Sequence, residues 1–94
     1  MGFDEFEVSI RRYTGSSPIV QVPEGVCVIG ARAFENHAEI HELVIPEGVV
    51  EIGERAFSSC MNLERIVLPS TLEVLGAGAF RGCRKLERVV LPDG

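Results

Sequence analysis

The chain repeats one pattern every 23 residues, and this period constrains its fold more than any other feature of the sequence. Residues 63–80 read LERIVLPSTLEVLGAGAF, and residues 40–57, 23 positions earlier, read IHELVIPEGVVEIGERAF. Prolines at positions 23, 46, 69 and 92 keep the same spacing. A fixed period of this length is typical of a solenoid, in which successive turns of the chain stack on one another. We call each 23-residue turn a rung.

Seven apolar positions recur in the rungs without a polar interruption, and we call each series of equivalent residues a column. One rung buries too little apolar surface to offset the entropy lost when its residues are ordered, so stability has to come from stacking. Stacked columns form one continuous core. The columns are Val20, Leu43, Ile66 and Val89; Val22, Ile45, Leu68 and Leu91; Val26, Val49 and Leu72; Ile29, Ile52 and Leu75; Ala33, Ala56 and Ala79; Phe34, Phe57 and Phe80; and Ile40, Leu63 and Leu86.

Each rung predicts a strand followed by a tight turn and a short helical turn. In LERIVLP, Ile66 and Leu68 alternate with outward residues, and Pro69 ends the strand because it lacks an N–H. We therefore expect at least four parallel strands within residues 20–91, ending at the prolines and joined by right-handed connections. Short helical turns are expected near 31–37, 54–60 and 77–83. Glycines at 30, 53 and 76 are expected to permit a sharp backbone reversal, and Gly48 to supply a positive φ in its turn.

The first 19 residues do not fit the repeat and predict an N-terminal β cap. Phe6, Val8 and Ile10 alternate with polar residues, as in a strand with one buried face. A terminal rung otherwise exposes its core, so a covering strand is expected there. Tyr13 is expected to pack its ring at that edge with its hydroxyl outward. The predicted organisation is a cap at 1–19 and a solenoid at 20–94, with three full repeats and a final strand.

The order of residues within one rung resembles the BspA-like, or Treponema-type, leucine-rich repeat of bacteria, and the resemblance covers residues 20–94. One difference is His37, which stands where later rungs have Cys60 and Cys83. The resemblance implies an α/β leucine-rich-repeat solenoid with a parallel sheet on its concave face and short helical turns on its convex side. It also implies protein binding, often at bacterial surfaces. The matching residues are Leu63, Ile66, Leu68, Pro69, Leu72, Leu75, Gly76, Ala79, Phe80, Cys83 and Leu86.

Charge and hydropathy favour some functional classes over others. The net charge of −5 gives no basic bias toward nucleic acid. No apolar run approaches the roughly 20 residues of a membrane helix, so no membrane insertion is expected. The acidic N-terminus has no signal-peptide pattern, which indicates a cytoplasmic protein if the chain is full length. A piece of a larger protein could equally lie at the cell surface or be secreted.

His37, Cys60 and Cys83 share one column, which raises metal-site and catalytic hypotheses. Rungs are about 4.8 Å apart, so the outer two residues lie roughly 10 Å apart, too far for one zinc ion. A catalytic Cys60–His37 pair needs an orienting group and a cleft, which no motif supplies. We therefore predict a structural column and no catalytic residue, metal or cofactor. Three free thiols are predicted because stacked equivalent side chains run parallel. Cys27, at a variable position, is expected to be exposed.

The outward strand positions are the candidate binding site. They place a charged stripe beside an apolar ridge on the expected concave face. The functional interpretation is a non-enzymatic protein–protein interaction module. The plain interpretation is that β-branched residues suit strands and that stacked charges are merely solvated. The alternative function is a structural or assembly segment of a longer repeat protein, such as a cell-surface adhesin. The tentative protein-binding residues are Glu42, Val44, Arg65, Val67, Arg88 and Val90.

The final strand, residues 88–91, has no covering segment in the sequence. An exposed strand edge recruits partners, so either another rung follows in a parent protein or two copies pair. Such self-association would be antiparallel about a two-fold axis. Repulsion opposes it, because Arg81, Arg84, Lys85 and Arg88 cluster beside that strand.

Overall fold

The computed structural model describes residues 3–6 and 9–91, and residues 3–6 by their backbone alone. These residues form about four turns of a parallel-sheet β-solenoid. The strands are short, and each of the three full rungs contributes one to each of two sheets. They are β1 (Phe3–Phe6), β2 (Ser9–Tyr13), β3 (Ile19–Gln21), β4 (Val28–Ile29), β5 (Glu42–Val44), β6 (Glu51–Ile52), β7 (Arg65–Val67), β8 (Val74–Leu75) and β9 (Arg88–Val90).

The four-stranded sheet confirms the predicted parallel strands and their period. Its order is β3-β5-β7-β9, and each strand pairs with the strand 23 residues later, so Leu43 lies beside Ile66 and Ile66 beside Val89. Each strand ends two residues before the proline position of its rung. Pro92, the last of those prolines, lies outside the described residues.

The second sheet was not predicted, and it connects the solenoid to the N-terminal hairpin. Its order is β1-β2-β4-β6-β8, with β1 and β2 antiparallel and the other pairs parallel. Ile10 of β2 pairs with Ile29 of β4 and is fully buried. Val8, which was expected to point inward with Ile10, lies outside the described residues. The division of the chain at residues 19 and 20 stays a prediction.

The segments 31–37, 54–60 and 77–83 are not helical, which corrects the predicted short helical turns and the α/β class. In the first two of these segments, alternate residues donate their N–H groups to the next rung: Phe34 N–H donates to the Ala56 carbonyl at 2.7 Å. An α-helix needs those N–H groups for its own i→i−4 bonds. The residues at two positions in each segment adopt left-handed φ values, which also prevents a helix. They are Arg32, Asn36, Arg55, Ser59, Gly78 and Gly82. Among the described residues the fold is all-β.

The predicted columns form the core, and the phenylalanine rings stack along it as expected. The ring centroids of Phe34 and Phe57 are 5.1 Å apart, and those of Phe57 and Phe80 are 5.4 Å apart. Tyr13 extends the stack at 5.0 Å from Phe34 and is almost fully buried. Its hydroxyl accepts a hydrogen bond from Ser17 N–H instead of pointing outward. The core therefore runs without a break from the hairpin to the third rung.

Glycine serves two different purposes in a rung. Gly48 has φ of 107°, as predicted for its turn. Gly53 does not have a left-handed φ, but a Cβ there would lie 2.6 Å from the Ala31 nitrogen of the preceding rung. The column of Gly30, Gly53 and Gly76 is therefore needed for close approach between rungs, and not for the sharp reversal predicted.

Candidate functional site

The structure brings all six predicted binding residues together on one face of the four-stranded sheet. Glu42, Arg65 and Arg88 pair across β5, β7 and β9, and Val44, Val67 and Val90 form a parallel row two residues further along. Each pair flanks a residue of the Leu43, Ile66 and Val89 column. Because side chains alternate along a strand, all six point away from that column. We call this surface the outer face.

The outer face carries charges of both signs. The Arg65 guanidinium lies 3.6 Å from the Glu42 carboxylate, with both side chains more than a third exposed. Such a pair is worth little in stability, at most about 1 kcal/mol. Arg88 has no ion pair with any residue in the described part of the chain.

An acidic column beside the predicted stripe was missed by the sequence reasoning. Glu64 contacts His41 at 3.5 Å, and Glu87 occupies the next rung. These residues recur at the same 23-residue period, so the period alone could have shown that they form a column. With the stripe they surround an open depression of about 350 Å³. Its lining residues are Glu42, Glu64, Arg65, Glu87 and Arg88.

The apolar row beside these charges is only partly covered. Val44 and Val67 are half-buried, and Val90 on the last strand is exposed. A row of β-branched side chains next to charged groups gives a surface that can bury apolar area and orient a partner electrostatically.

The His37, Cys60 and Cys83 column links each rung to the chain before it. The Cys60 thiol donates to the Phe34 carbonyl at 3.1 Å, and the Cys83 thiol donates to the Phe57 carbonyl at 3.1 Å. His37 makes the equivalent contact from Nε2 to the Tyr13 carbonyl at 2.9 Å. Its Nδ1 lies 2.7 Å from the Glu39 carboxylate. The column lines the coil, as predicted, with histidine taking the position of cysteine at the hairpin.

Burial makes the two column thiols poor nucleophiles. It raises the pKa of Cys60 to about 12, with further raising by nearby Cys83, while a hydrogen bond from the His37 backbone opposes the shift. Burial also raises the pKa of Cys83. The thiolate is the reactive form of cysteine, so both positions are held in the unreactive form at neutral pH. Cys27 is half-buried rather than exposed, and all three cysteines are free thiols.

Among residues 3–6 and 9–91, no group of three or more His, Cys, Asp or Glu side chains is arranged to hold a metal ion. No helix in that part of the chain has the length and apolar character needed to cross a bilayer.

Stacked rungs, shared apolar columns and parallel sheets define a leucine-rich-repeat solenoid. The family model described as BspA type leucine rich repeat region (6 copies) matches residues 12–94. The chain therefore belongs to the BspA-type leucine-rich-repeat family, as the residues of a single rung indicated. Proteins of this family and fold typically act as non-enzymatic scaffolds.

Two solved bacterial structures share the fold. A leucine-rich repeat protein from Bacteroides capillosus is 23% identical, with a TM-score of 0.57, over 90% of this chain and 86% of that chain. A leucine rich cell surface protein from Faecalibacterium prausnitzii is 21% identical, with a TM-score of 0.51, over 92% of this chain. This chain spans 35% of the length of the latter. No curated protein matches the sequence.

Proposed function

We propose that the protein is a non-enzymatic protein–protein interaction module that binds its partner through the outer face. The observation that carries the proposal is the exact register of Glu42, Arg65 and Arg88 beside Val44 and Val67 on adjacent strands. A rigid sheet presents these side chains in a fixed pattern, which lowers the entropy lost on binding. The concave curvature expected for this sheet would surround a partner.

The chemistry of the face favours a protein partner. The two glutamates of the acidic column, Glu64 and Glu87, make nucleic acid unfavourable, because phosphate backbones require a basic surface. Arg65 and Arg88 offer donors to carboxylates, while the valine row offers apolar contact. A protein surface with an apolar strip beside charged groups would match both the arginine side chains and the valine row.

A pull-down with two matched variants tests the proposal. Val67→Asp places a charge at the centre of the outer face, whereas Val50→Asp makes the same change at a half-buried valine outside the outer face. We expect proteins enriched by the wild-type chain to be lost with Val67→Asp and kept with Val50→Asp. Circular dichroism and thermal unfolding verify that both variants fold. Partners kept by folded Val67→Asp would place the binding site elsewhere.

A second candidate function is a structural segment that spaces or assembles a longer repeat protein. The observation that favours it is the exposure of Leu75, Val89 and Leu91, whose columns are buried in inner rungs. A similar fold occurs within a longer cell surface protein. If spacing is the role, Val67→Asp leaves every interaction unchanged, while extension of the chain by further rungs raises its unfolding temperature.

A further inference from the structure

The column of His37, Cys60 and Cys83 changes its chemistry at the rung that contacts the N-terminal hairpin. Each cysteine donates its single S–H to a carbonyl of the preceding rung. His37 replaces that single donor with a ring that has two nitrogens, and its side chain is only 20% exposed. Nε2 lies 2.9 Å from the Tyr13 carbonyl of β2, and Nδ1 lies 2.7 Å from the Glu39 carboxylate. Both ring nitrogens therefore face an oxygen atom.

A second difference between the rungs accompanies the histidine. The position two residues after the column holds Glu39 in the first rung, but Asn62 and Lys85 in the next two. Asn62 donates from its side-chain amide to the Ala38 carbonyl at 2.7 Å, so a neutral side chain serves the inner rung. Among the described residues, the only ion-pair partner of Glu39 is His37. Histidine and carboxylate thus occur together only in the rung that meets β2.

The two contacts of the ring require a proton on each of its nitrogens. A carbonyl oxygen accepts hydrogen bonds and cannot donate one, and the same is true of an ionised carboxylate. A neutral imidazole carries one N–H, so it can donate to Tyr13 or to Glu39 but not to both. The imidazolium carries two N–H groups and donates to both. Its positive charge also makes each bond roughly twice as strong as a neutral one.

The groups that face the ring keep a constant charge while histidine titrates, which happens between pH 5 and 8. On β2, the Tyr13 ring packs 4.8 Å from the imidazole between centroids, and tyrosine hydroxyls do not ionise in this range. The cations of β2, Arg11 and Arg12, are exposed, and arginine keeps its charge throughout. In the second rung, burial raises the pKa of the Cys60 thiol to about 12. Carboxylates such as Glu39 are ionised above about pH 5.

We propose that His37 is a pH-sensitive link between the N-terminal hairpin, β1 and β2, and the first rung. The protonated ring donates to the Tyr13 carbonyl and the Glu39 carboxylate together. When the ring loses its proton, one acceptor loses its donor and β2 is held more weakly. The folded state therefore binds this proton more tightly than the unfolded state does. The contribution of the link is complete near pH 5 and is lost as the pH rises toward 8.

Weaker attachment of the hairpin has a direct structural consequence. Tyr13 stacks on the fully buried Phe34 at 5.0 Å, and Ile10 of β2 pairs with Ile29 of β4. Opening of the hairpin uncovers these apolar side chains of the first rung. The link therefore makes the exposure of the N-terminal end of the core depend on pH.

The variant His37→Cys provides the matched comparison, because cysteine is the residue of the inner rungs. It keeps a donor for the Tyr13 carbonyl, and thiols lose their protons only near pH 8.5. Amide hydrogen exchange is measured on the full chain under reducing conditions at pH 5.5 and 7.5. Wild type and variant are compared at each pH, so that the chemical exchange rate cancels.

The informative amides join β2 to the first rung. Tyr13 N–H donates to the Ala33 carbonyl, and Gly30 N–H donates to the Ile10 carbonyl. Their protection in wild type, divided by that in His37→Cys, should be about three- to tenfold higher at pH 5.5 than at pH 7.5, because one proton is linked to opening. The Gly76 amide, which bonds to the second rung, should show no such change.

Two further variants separate the link from other titrating groups. Glu39→Gln should abolish the pH dependence, because a side-chain amide can donate to the bare Nδ1 of a neutral ring and leave Nε2–H for the Tyr13 carbonyl. His41→Gln removes the other histidine, which lies 3.5 Å from the Glu64 carboxylate with both side chains about half exposed. The pH dependence at β2 should persist in His41→Gln.

The proposal is overturned by a protection ratio that is equal at the two pH values, or by a pH dependence that Glu39→Gln leaves intact. Loss of the effect in His41→Gln would assign it to the exposed pair and would also overturn the link. An equal change at Gly76 would mean that His37 stabilises the whole coil and not the attachment of the hairpin. No step of this test involves the outer face, so the proposed binding function can fail separately.

Discussion

The two ends of the solenoid complete the same core in opposite ways. At the N-terminal end, Ile10 and Tyr13 of β2 are buried against the first rung, and Tyr13 N–H donates to the Ala33 carbonyl at 2.7 Å. At the C-terminal end, Leu75 and Val89 of the last rung are half exposed. Both ends are built from apolar residues at comparable positions, so composition does not explain the difference. A core side chain in this fold is therefore buried mainly by the rungs that stack on it. Residues of its own rung do not cover it.

Stability should therefore depend on the position of a rung more than on its sequence. An inner side chain packs between two neighbouring rungs, and its counterpart in the last rung packs against one. Equivalent substitutions in one column then have unequal effects, which makes the columns useful for measurement. All but one of the predictions below compare two positions of this kind, and the glycine prediction compares two positions within one rung.

The largest expected effect is the truncation of an inner phenylalanine. Phe57→Ala removes a fully buried ring that stacks on both Phe34 and Phe80, and it should lower the free energy of unfolding by about 3–5 kcal/mol. Phe80→Ala removes a half-buried ring with one stacking partner and should cost about 1–2 kcal/mol. Urea unfolding of both variants measures the difference. Equal losses would mean that the ends are as well packed as the middle.

A smaller effect is expected from two glycines that serve different purposes. Gly53→Ala places a methyl group 2.6 Å from the Ala31 nitrogen, so the rungs must separate, at a cost of about 2–3 kcal/mol. Gly48→Ala meets no neighbour within 4 Å and costs only the left-handed φ, about 1 kcal/mol. Thermal unfolding distinguishes them. A larger loss for Gly48→Ala would show that turn conformation outweighs the spacing of rungs.

The sequence predicted the strands and the core because both depend on strictly periodic side chains. Leu43 and Ile66 stand at equal positions of equivalent strands, so neighbouring rungs had to pair them. The same logic placed Val44 and Val67 on one face. The acidic column was missed because Glu64 precedes the strand, where alternation does not yet determine direction.

The conformation of the turn segments could not be predicted, because most of their left-handed positions are occupied by residues other than glycine. Arg32 and Arg55 adopt left-handed φ values that non-glycine residues rarely take, and only Gly78 in the third rung shows the requirement. Strands β4, β6 and β8 have two residues each, too few for alternation to be visible. In these segments the hydrogen bonds between rungs determine the backbone conformation, and the conformational preferences of the individual residues do not.

Titration of Cys60 gives a pH-dependent test of burial at an inner rung. Burial raises its pKa from 9.0 to about 12, so between those pH values the unfolded thiol loses its proton while the folded thiol keeps it. The unfolded state then binds fewer protons, and stability falls as pH rises, by at most about 1.4 kcal/mol per pH unit. Below pH 9 this contribution is constant.

The readout is the difference between the wild-type and Cys60→Ala unfolding curves from pH 8 to 11, which removes contributions from other titrating groups. Cys83→Ala should flatten the curve less, because Cys83 is only half-buried on the last rung. Parallel curves for wild type and Cys60→Ala would contradict a buried, protonated thiol at the inner rung.

The smallest expected effect concerns the contact between the N-terminal hairpin and the first rung. His37→Ala removes the contact of Nε2 with the Tyr13 carbonyl and the edge contact between the two rings, whose centroids are 4.8 Å apart. One side-chain hydrogen bond contributes about 1 kcal/mol, so the loss should be of that size. Because Tyr13 belongs to β2, the loss should appear as faster amide hydrogen exchange at Ile10 and Tyr13. Cys83→Ala removes the analogous bond to the Phe57 carbonyl and should leave exchange in β2 unchanged. Faster exchange in every rung of His37→Ala would instead mean that the hairpin and the solenoid unfold as one unit, and that the covered end stabilises the whole coil.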